Sequence, residues 1–224
     1  MQLINLIGAP SAPKIMSIDL APTWELLKEQ ASHTDAIQWI VLVFGVTEVL
    51  LARANNILLY PAGIISVTLS MFSLFNVGLY AESLLNLYYL VMSVYGWWYW
   101  HRKKGEPPVP ISLTNKSEWL TTAAIAIGGW VALYFILRQF TPSTVPAWDA
   151  WVSSTAWAGM WLLARRKVEN WILLNISNAF AVPLLFQKQL PLFGVLTIFL
   201  FIVACIGYVD WLRTYRREAG AYQE

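Results

Sequence analysis

Charge is scarce in this chain. Lys, Arg, Asp and Glu make up 12% of its 224 residues, about half of the roughly 25% that soluble domains carry. The deficit extends over most of the sequence, which excludes an ordinary soluble fold and points to a polytopic membrane protein. The formal net charge of +2 is too small to argue for nucleic-acid binding. Cysteine is nearly absent: Cys205 stands alone in an apolar run, so there is no disulfide framework and it reads as a packing residue. The two histidines, His33 and His101, are far apart, and no Cys/His cluster has metal-ligand spacing. No metal or other cofactor is therefore expected. No G-x-x-x-x-G-K-[ST] segment is present, so nothing indicates ATP hydrolysis. Residues 1–16 lack the basic start and apolar core of a cleaved signal peptide.

What the chain has in abundance is apolar surface, with 58% hydrophobic residues and 13 tryptophans. A span needs about 20 mostly apolar residues. Seven such stretches are expected, at 36–53, 57–76, 79–100, 118–138, 148–165, 169–187 and 190–212. Before them, residues 1–34 read as a tail in which 18–27 is either a short surface helix or loose chain. After them, 213–224 reads as a polar tail. Between the third and fourth spans lies a basic, proline-rich loop from His101 to Glu118, which cannot continue a helix. Basic residues mark the cytoplasmic side of a membrane protein. With seven spans, 11 of the 15 Lys and Arg residues fall on one side and 4 on the other. That puts the N-terminus outside and the C-terminus in the cytoplasm.

A weak internal repeat supports this count. Setting Asp35-Ala36 over Asp149-Ala150 pairs Gly45 with Gly159, Arg53 with Lys167 and Asn56 with Asn170, at an offset of 114. Later, at 111, Leu79 meets Leu190, Gly96 meets Gly207 and Trp100 meets Trp211. The expectation is an all-α membrane protein in a 3+1+3 arrangement. Its repeats cover 35–100 and 148–212, joined by a linker span at 117–139. One linker span makes the repeats parallel, as in the SWEET transporters.

Polar residues inside the spans are the candidate site. On the third span, Glu82, Asn86, Tyr89, Ser93, Trp97 and Trp100 share a helical face. On the sixth, Trp171, Leu174, Asn175, Asn178 and Val182 do so. An unpaired amide at mid-depth is costly, so these faces hold either a ligand site or interhelical hydrogen bonds. On the first span, Glu48 shares a face with Gln38 and Gly45. A carboxylate there must be paired, protonated or wet, and both proton coupling and a structural pairing with Arg53 are open to it. Tyr95 lies opposite Asn86 and reads as packing. Gly63 and Gly96 are candidate flexible points, and Pro61 is either another or a packing kink. The candidate substrate-binding set is Glu48, Asn86, Tyr89, Ser93, Trp97, Trp171, Asn175 and Asn178.

Asn86-x-x-Tyr89, followed after five residues by Tyr95-Gly96-Trp97-x-x-Trp100, resembles the N/Q-x-x-Y…YGW-x-x-W signature of the PnuC-type vitamin transporters. The segments WDAW at 148–151 and Arg166-Lys167-Val168-Glu169-Asn170-Trp171, with Asn178, are similar to the family's second motif. The resemblance covers about 35–212. It implies seven helices, a homotrimer and a bacterial inner-membrane location. It also implies facilitated uptake of nicotinamide riboside, trapped by a cytoplasmic kinase, or of thiamine, riboflavin or a nucleoside in relatives. The family's binding residues would be Asn86, Tyr89, Trp171 and Asn178, with Trp171 stacking on the ring and the amides bonding the ribose. Leu174 departs from the pattern, which has Trp there, and this leaves the vitamin open. Two other classes fit poorly. A retinal photoreceptor needs a lysine in 190–212, which has none, and an intramembrane enzyme needs a nucleophile–base pair or metal cluster.

Overall fold

The computed structural model describes residues 20–76, 78, 80–101, 109–141 and 143–221. Segments 1–19, 102–108 and 222–224 and the side chain of Glu82 lie outside the described residues. The described chain is all helical apart from one isolated bridge, Ser112 to Lys167. Helix α1 is Leu20–His33, α2 Ala36–Arg53, α3 Leu59–Asn76 and α4 Tyr80–Trp100. A continuous helix follows as α5 Lys116–Ala123, a π-helical stretch Ala124–Gly128 and α6 Gly129–Phe140. Then come α7 Pro146–Ala164, α8 Asn170–Gln187 and α9 Pro191–Ala221.

By length and apolarity, α2, α3, the α5–α6 helix and α9 can each cross a membrane. α4, α7 and α8 are of similar length, at 21, 19 and 18 residues. α2, α3 and α4 pack in sequence, as do α7, α8 and α9, and the two groups meet where α2 touches α9 and α4 touches α7. α6 covers α7 from outside.

Local sequence explains the boundaries. Asp35 caps α2 by accepting from the Gln38 amide. Asn115 and Glu118 form a reciprocal capping box at α5. Pro61 sits in the first turn of α3, where a missing N–H costs nothing, so it is a helix starter rather than a flexible point. Pro183 is inside α8. Nearby, the Trp148 indole donates to the Phe180 carbonyl at 2.9 Å, tying α7 to α8. α9 runs past 212, where a tail was expected, because Leu212 and Tyr215 continue its apolar face onto the core. At about 1.5 Å per residue its 31 residues span roughly 46 Å, more than the roughly 30 Å hydrocarbon thickness.

The turns after α2 and α7 carry the same backbone bonds. Ala54 N–H to Leu50, Asn55 to Ala52, Asn56 to Leu51, Leu59 to Asn56 and Tyr60 to Ile57 recur 111 residues later. There they are Arg165 to Trp161, Arg166 to Leu163, Lys167 to Leu162, Asn170 to Lys167 and Trp171 to Val168. Asn55 and Arg166 both take left-handed φ, 55° and 59°. Trp100 donates to the Ala164 carbonyl at 3.2 Å, and Trp211 donates to Arg53 at 3.3 Å and Ala52 at 3.0 Å. Tyr60 meets Trp100 edge-on, as Trp171 meets Trp211. At these positions the spacing is 111, not the 114 that pairs Arg53 with Lys167 and Asn56 with Asn170. At 111, Glu48 corresponds to Gly159 and Gly63 to Leu174.

The core gathers at this end: Tyr60, Trp100, Trp171 and Trp211 pack with Leu59, Ile111 and Leu163. Gly96 and Gly207 permit it. A Cβ on Gly96 would collide with the Tyr60 ring, and one on Gly207 would lie 2.8 Å from the Trp171 indole. Gly96 is thus a close-approach point, not a free hinge.

Candidate functional site

A cavity of about 270 Å³ opens at the centre of the bundle, near the lower end of the roughly 300–1,000 Å³ range of small-molecule sites. Four helices supply its polar groups: Glu48 from α2, Ser66 and Ser70 from α3, Asn86, Tyr89 and Ser93 from α4, and Trp171 from α8. Val41, Val49, Ala52, Val67, Met160, Leu163 and Leu174 add apolar wall. Glu48 is the one charged side chain among the described lining residues, and none is cationic.

Five of the eight expected site residues therefore meet in one space: Glu48, Asn86, Tyr89, Ser93 and Trp171. Three do not line it. Trp97 is 42% exposed on the outer surface of α4. Asn175 points from α8 toward α9, with its amide 3.3 Å from Cys205 Sγ. In the flipped assignment that amide donates to the Phe201 carbonyl at 3.1 Å. Asn175 lies in a separate groove of about 410 Å³ between α8 and α9, and Cys205 is exposed there rather than packed in a core. Asn178, half-buried, does not line the central cavity. Trp171 is only 1% exposed, because its indole is pressed onto Gly207 and Trp211, and its Nε1 has no hydrogen-bond partner.

Adjacent positions on α4 have distinct roles. Tyr88 turns away to α7, where its hydroxyl donates to the Trp157 carbonyl at 3.0 Å and its ring stacks on Trp157. Tyr95 stacks on Trp161, and its hydroxyl accepts from Arg165 at 3.2 Å.

Ser66 and Ser70 were not anticipated. Ser66, Ser70 and Ser73, at i, i+4 and i+7 on α3, form a small-polar stripe readable from the sequence. Ser66 Oγ donates to the Val41 carbonyl at 2.9 Å. A second chamber of about 380 Å³ between α2, α3 and α9 shares Val41, Ser66 and Ser70 with the central cavity and reaches Gln38 and Thr34.

The end holding the α2–α3 and α7–α8 turns is tied together by charge. Arg166 donates to Asn55 Oδ1 from Nε at 3.0 Å and from Nη2 at 2.8 Å, and also to the Val109 carbonyl. Its guanidinium lies 4.4 Å from the Trp100 ring centre. Burial pulls the Arg166 pKa down, with Glu218 acting in the opposite direction, yet a guanidinium stays charged in proteins. Arg53 pairs with Asp210 at 2.9 Å. Glu118 pairs with Lys167 at 2.9 Å and Arg165 at 3.3 Å. At the opposite end, Lys188 pairs with Asp149 at 2.6 Å. No group of three or more His, Cys, Asp or Glu that could hold a metal occurs among the described residues.

A family model described as nicotinamide mononucleotide transporter matches residues 35–213. The chain belongs to this family. It is 25% identical over 214 residues to the nicotinamide riboside transporter PnuC of Escherichia coli (strain K12), covering 83% of this chain and 89% of that protein. The Shigella flexneri protein of the same name gives the same figures. The PnuC of Neisseria mucosa is 25% identical over 199 residues, 81% of this chain and 75% of that one. A crystal structure described as the vitamin B3 transporter PnuC superposes with a TM-score of 0.64 at 22% identity, covering 90% of this chain and 93% of that one. The fold is therefore that of a PnuC-type membrane transporter.

Proposed function

We propose that the chain carries nicotinamide riboside across the bacterial cytoplasmic membrane by facilitated diffusion. The observation that carries this reading is the central cavity. It joins an amide, hydroxyls, aromatic rings and a carboxylate, with no cationic side chain among the described lining residues. Such a set suits a neutral sugar joined to a cationic aromatic ring. A phosphate would find no cationic partner there and would face the Glu48 carboxylate, which favours the riboside over the mononucleotide. The relatives' names point to the same substrate.

In this reading the bundle has seven spans in two parallel repeats of three around the α5–α6 helix. The backbone bonds recurring at 111 residues support that arrangement. The N-terminus is outside and the C-terminus cytoplasmic, as the asymmetry of Lys and Arg argues. The end carrying Arg166 is then the cytoplasmic end. The crossed indole bonds of Trp100 and Trp211 close it, and the repeats rock apart there to release substrate. A homotrimer and a trapping kinase follow from the family resemblance.

Calorimetry on purified protein tests the substrate, with nicotinamide riboside, its mononucleotide, thiamine and riboflavin in parallel. The riboside should bind with micromolar or better affinity and the mononucleotide at least tenfold more weakly. Tighter binding of the mononucleotide, or no binding of the riboside, refutes the reading.

A further inference from the structure

Among the described residues, Glu48 is a carboxylate without a counterion. No hydrogen bond or ion pair to it is seen among them, and it lines the central cavity together with Tyr89 and Asn86, with no cationic side chain among the described lining residues. An intramembrane ionisable group in such a place needs a partner or a function. Its position is built: the carboxylate lies on Gly63 of α3, where a Cβ would come within 2.5 Å of Glu48 Oε1.

The other half shows what packing alone requires. At the corresponding crossing of α7 and α8, Leu174 fills the space over Gly159, where a Cβ would lie 2.8 Å from Leu174 Cδ2. An apolar side chain over a glycine is therefore enough to hold two such helices together. The carboxylate in the first half adds nothing to packing that leucine lacks. What it adds is a carboxyl group facing the cavity, able to carry negative charge against a cation.

We infer that Glu48 is the charge-selecting residue of the carrier, pairing with the positive ring of a cationic substrate while Tyr89 supplies aromatic surface. A cation in this cavity gains both the carboxylate and the quadrupole of the Tyr89 ring. A neutral molecule of the same shape gains neither and covers the carboxylate without pairing it. This rests on the carrier reading and adds the feature of the substrate that the site reads.

Nicotinamide riboside and its 1,4-dihydro form have almost the same shape and differ in ring charge, so they separate charge from fit. Binding of both is measured to wild type and to Glu48→Gln, which keeps shape and removes charge. Wild type should prefer the cationic form by tenfold or more. Glu48→Gln should weaken the cationic form by about tenfold and leave the dihydro form within about threefold. Gly63→Ala, which displaces the carboxylate, should act in the same direction and serves if Glu48→Gln folds poorly. Equal loss of both ligands, or unchanged riboside binding because Glu48 is held protonated, overturns the inference while leaving the riboside reading intact. Thiamine bound in place of the riboside, and weakened by Glu48→Gln, sinks the riboside reading and keeps the charge-selecting role. Binding of no cation refutes both.

Discussion

Replacing Asn55 separates two contributions at the end that closes the cavity. Asn55 takes a left-handed φ of 55° and is the acceptor for two donors of the buried Arg166. Asn55→Gly keeps the backbone relaxed and removes only the acceptor. A hydrogen bond to a charged group is worth roughly 1.5–3 kcal/mol. Two bonds to one oxygen are not additive, and Arg166 keeps the Val109 carbonyl and the Trp100 face. About 2 kcal/mol is therefore the expected loss. Asn55→Ala removes the same acceptor and forces a Cβ into a left-handed conformation, at about 1 kcal/mol more. For a chain of this length 1 kcal/mol shifts the melting temperature by roughly 2–4 °C. The glycine variant should melt about 4–8 °C lower than wild type in detergent, and the alanine variant about 2–4 °C lower still. If alanine is the better tolerated, the turn is not held as described. If neither shifts, the Arg166 bonds do not contribute.

Gly96→Ala and Gly207→Ala each press a methyl into an aromatic ring, Tyr60 or Trp171. Overpacking of this kind costs about 1–3 kcal/mol, so both should lower the melting temperature, and an unchanged value for either means the rings yield freely. Glu118→Gln breaks ion pairs with Lys167 and Arg165 in which its side chain is 9% exposed. Arg165 is 30% exposed and keeps the Tyr95 hydroxyl, and Lys167 keeps the Leu113 carbonyl, so the loss is about 1–3 kcal/mol, read as a lower melting temperature, while Gln keeps the helix cap. Trp100→Phe leaves the Ala164 carbonyl without its indole donor. A loss of about 1–3 kcal/mol should appear as a lower melting temperature, with riboside affinity changed less than threefold.

The helix ends were largely legible because strong local signals sit at them: Asp35, the Asn55-Asn56 turn, Gly78, and the Arg165 to Lys167 turn. The extension of α9 was not, since Arg213, Arg216 and Arg217 read as a solvated tail while Leu212 and Tyr215 hold the apolar side. Nor was the π-helical stretch 124–128, whose AIAIG sequence carries no signal for it. On α4, helical phase brought Asn86, Tyr89 and Ser93 to one cavity. On α8 it did less. Asn175 is only 100° from Leu174, and that step carries it from the cavity wall to the α9 groove. The glycines were the least legible part. Whether Gly63 and Gly96 flex or receive a side chain depends on Glu48 and Tyr60, which come from neighbouring helices.

Uptake of labelled nicotinamide riboside into proteoliposomes, without ATP or an ion gradient, tests the central claim most directly. Wild type should fill the vesicles saturably to the external concentration, and Asn86→Leu should abolish most of that flux. Uptake no faster than into protein-free vesicles, or accumulation that requires an imposed gradient, contradicts it.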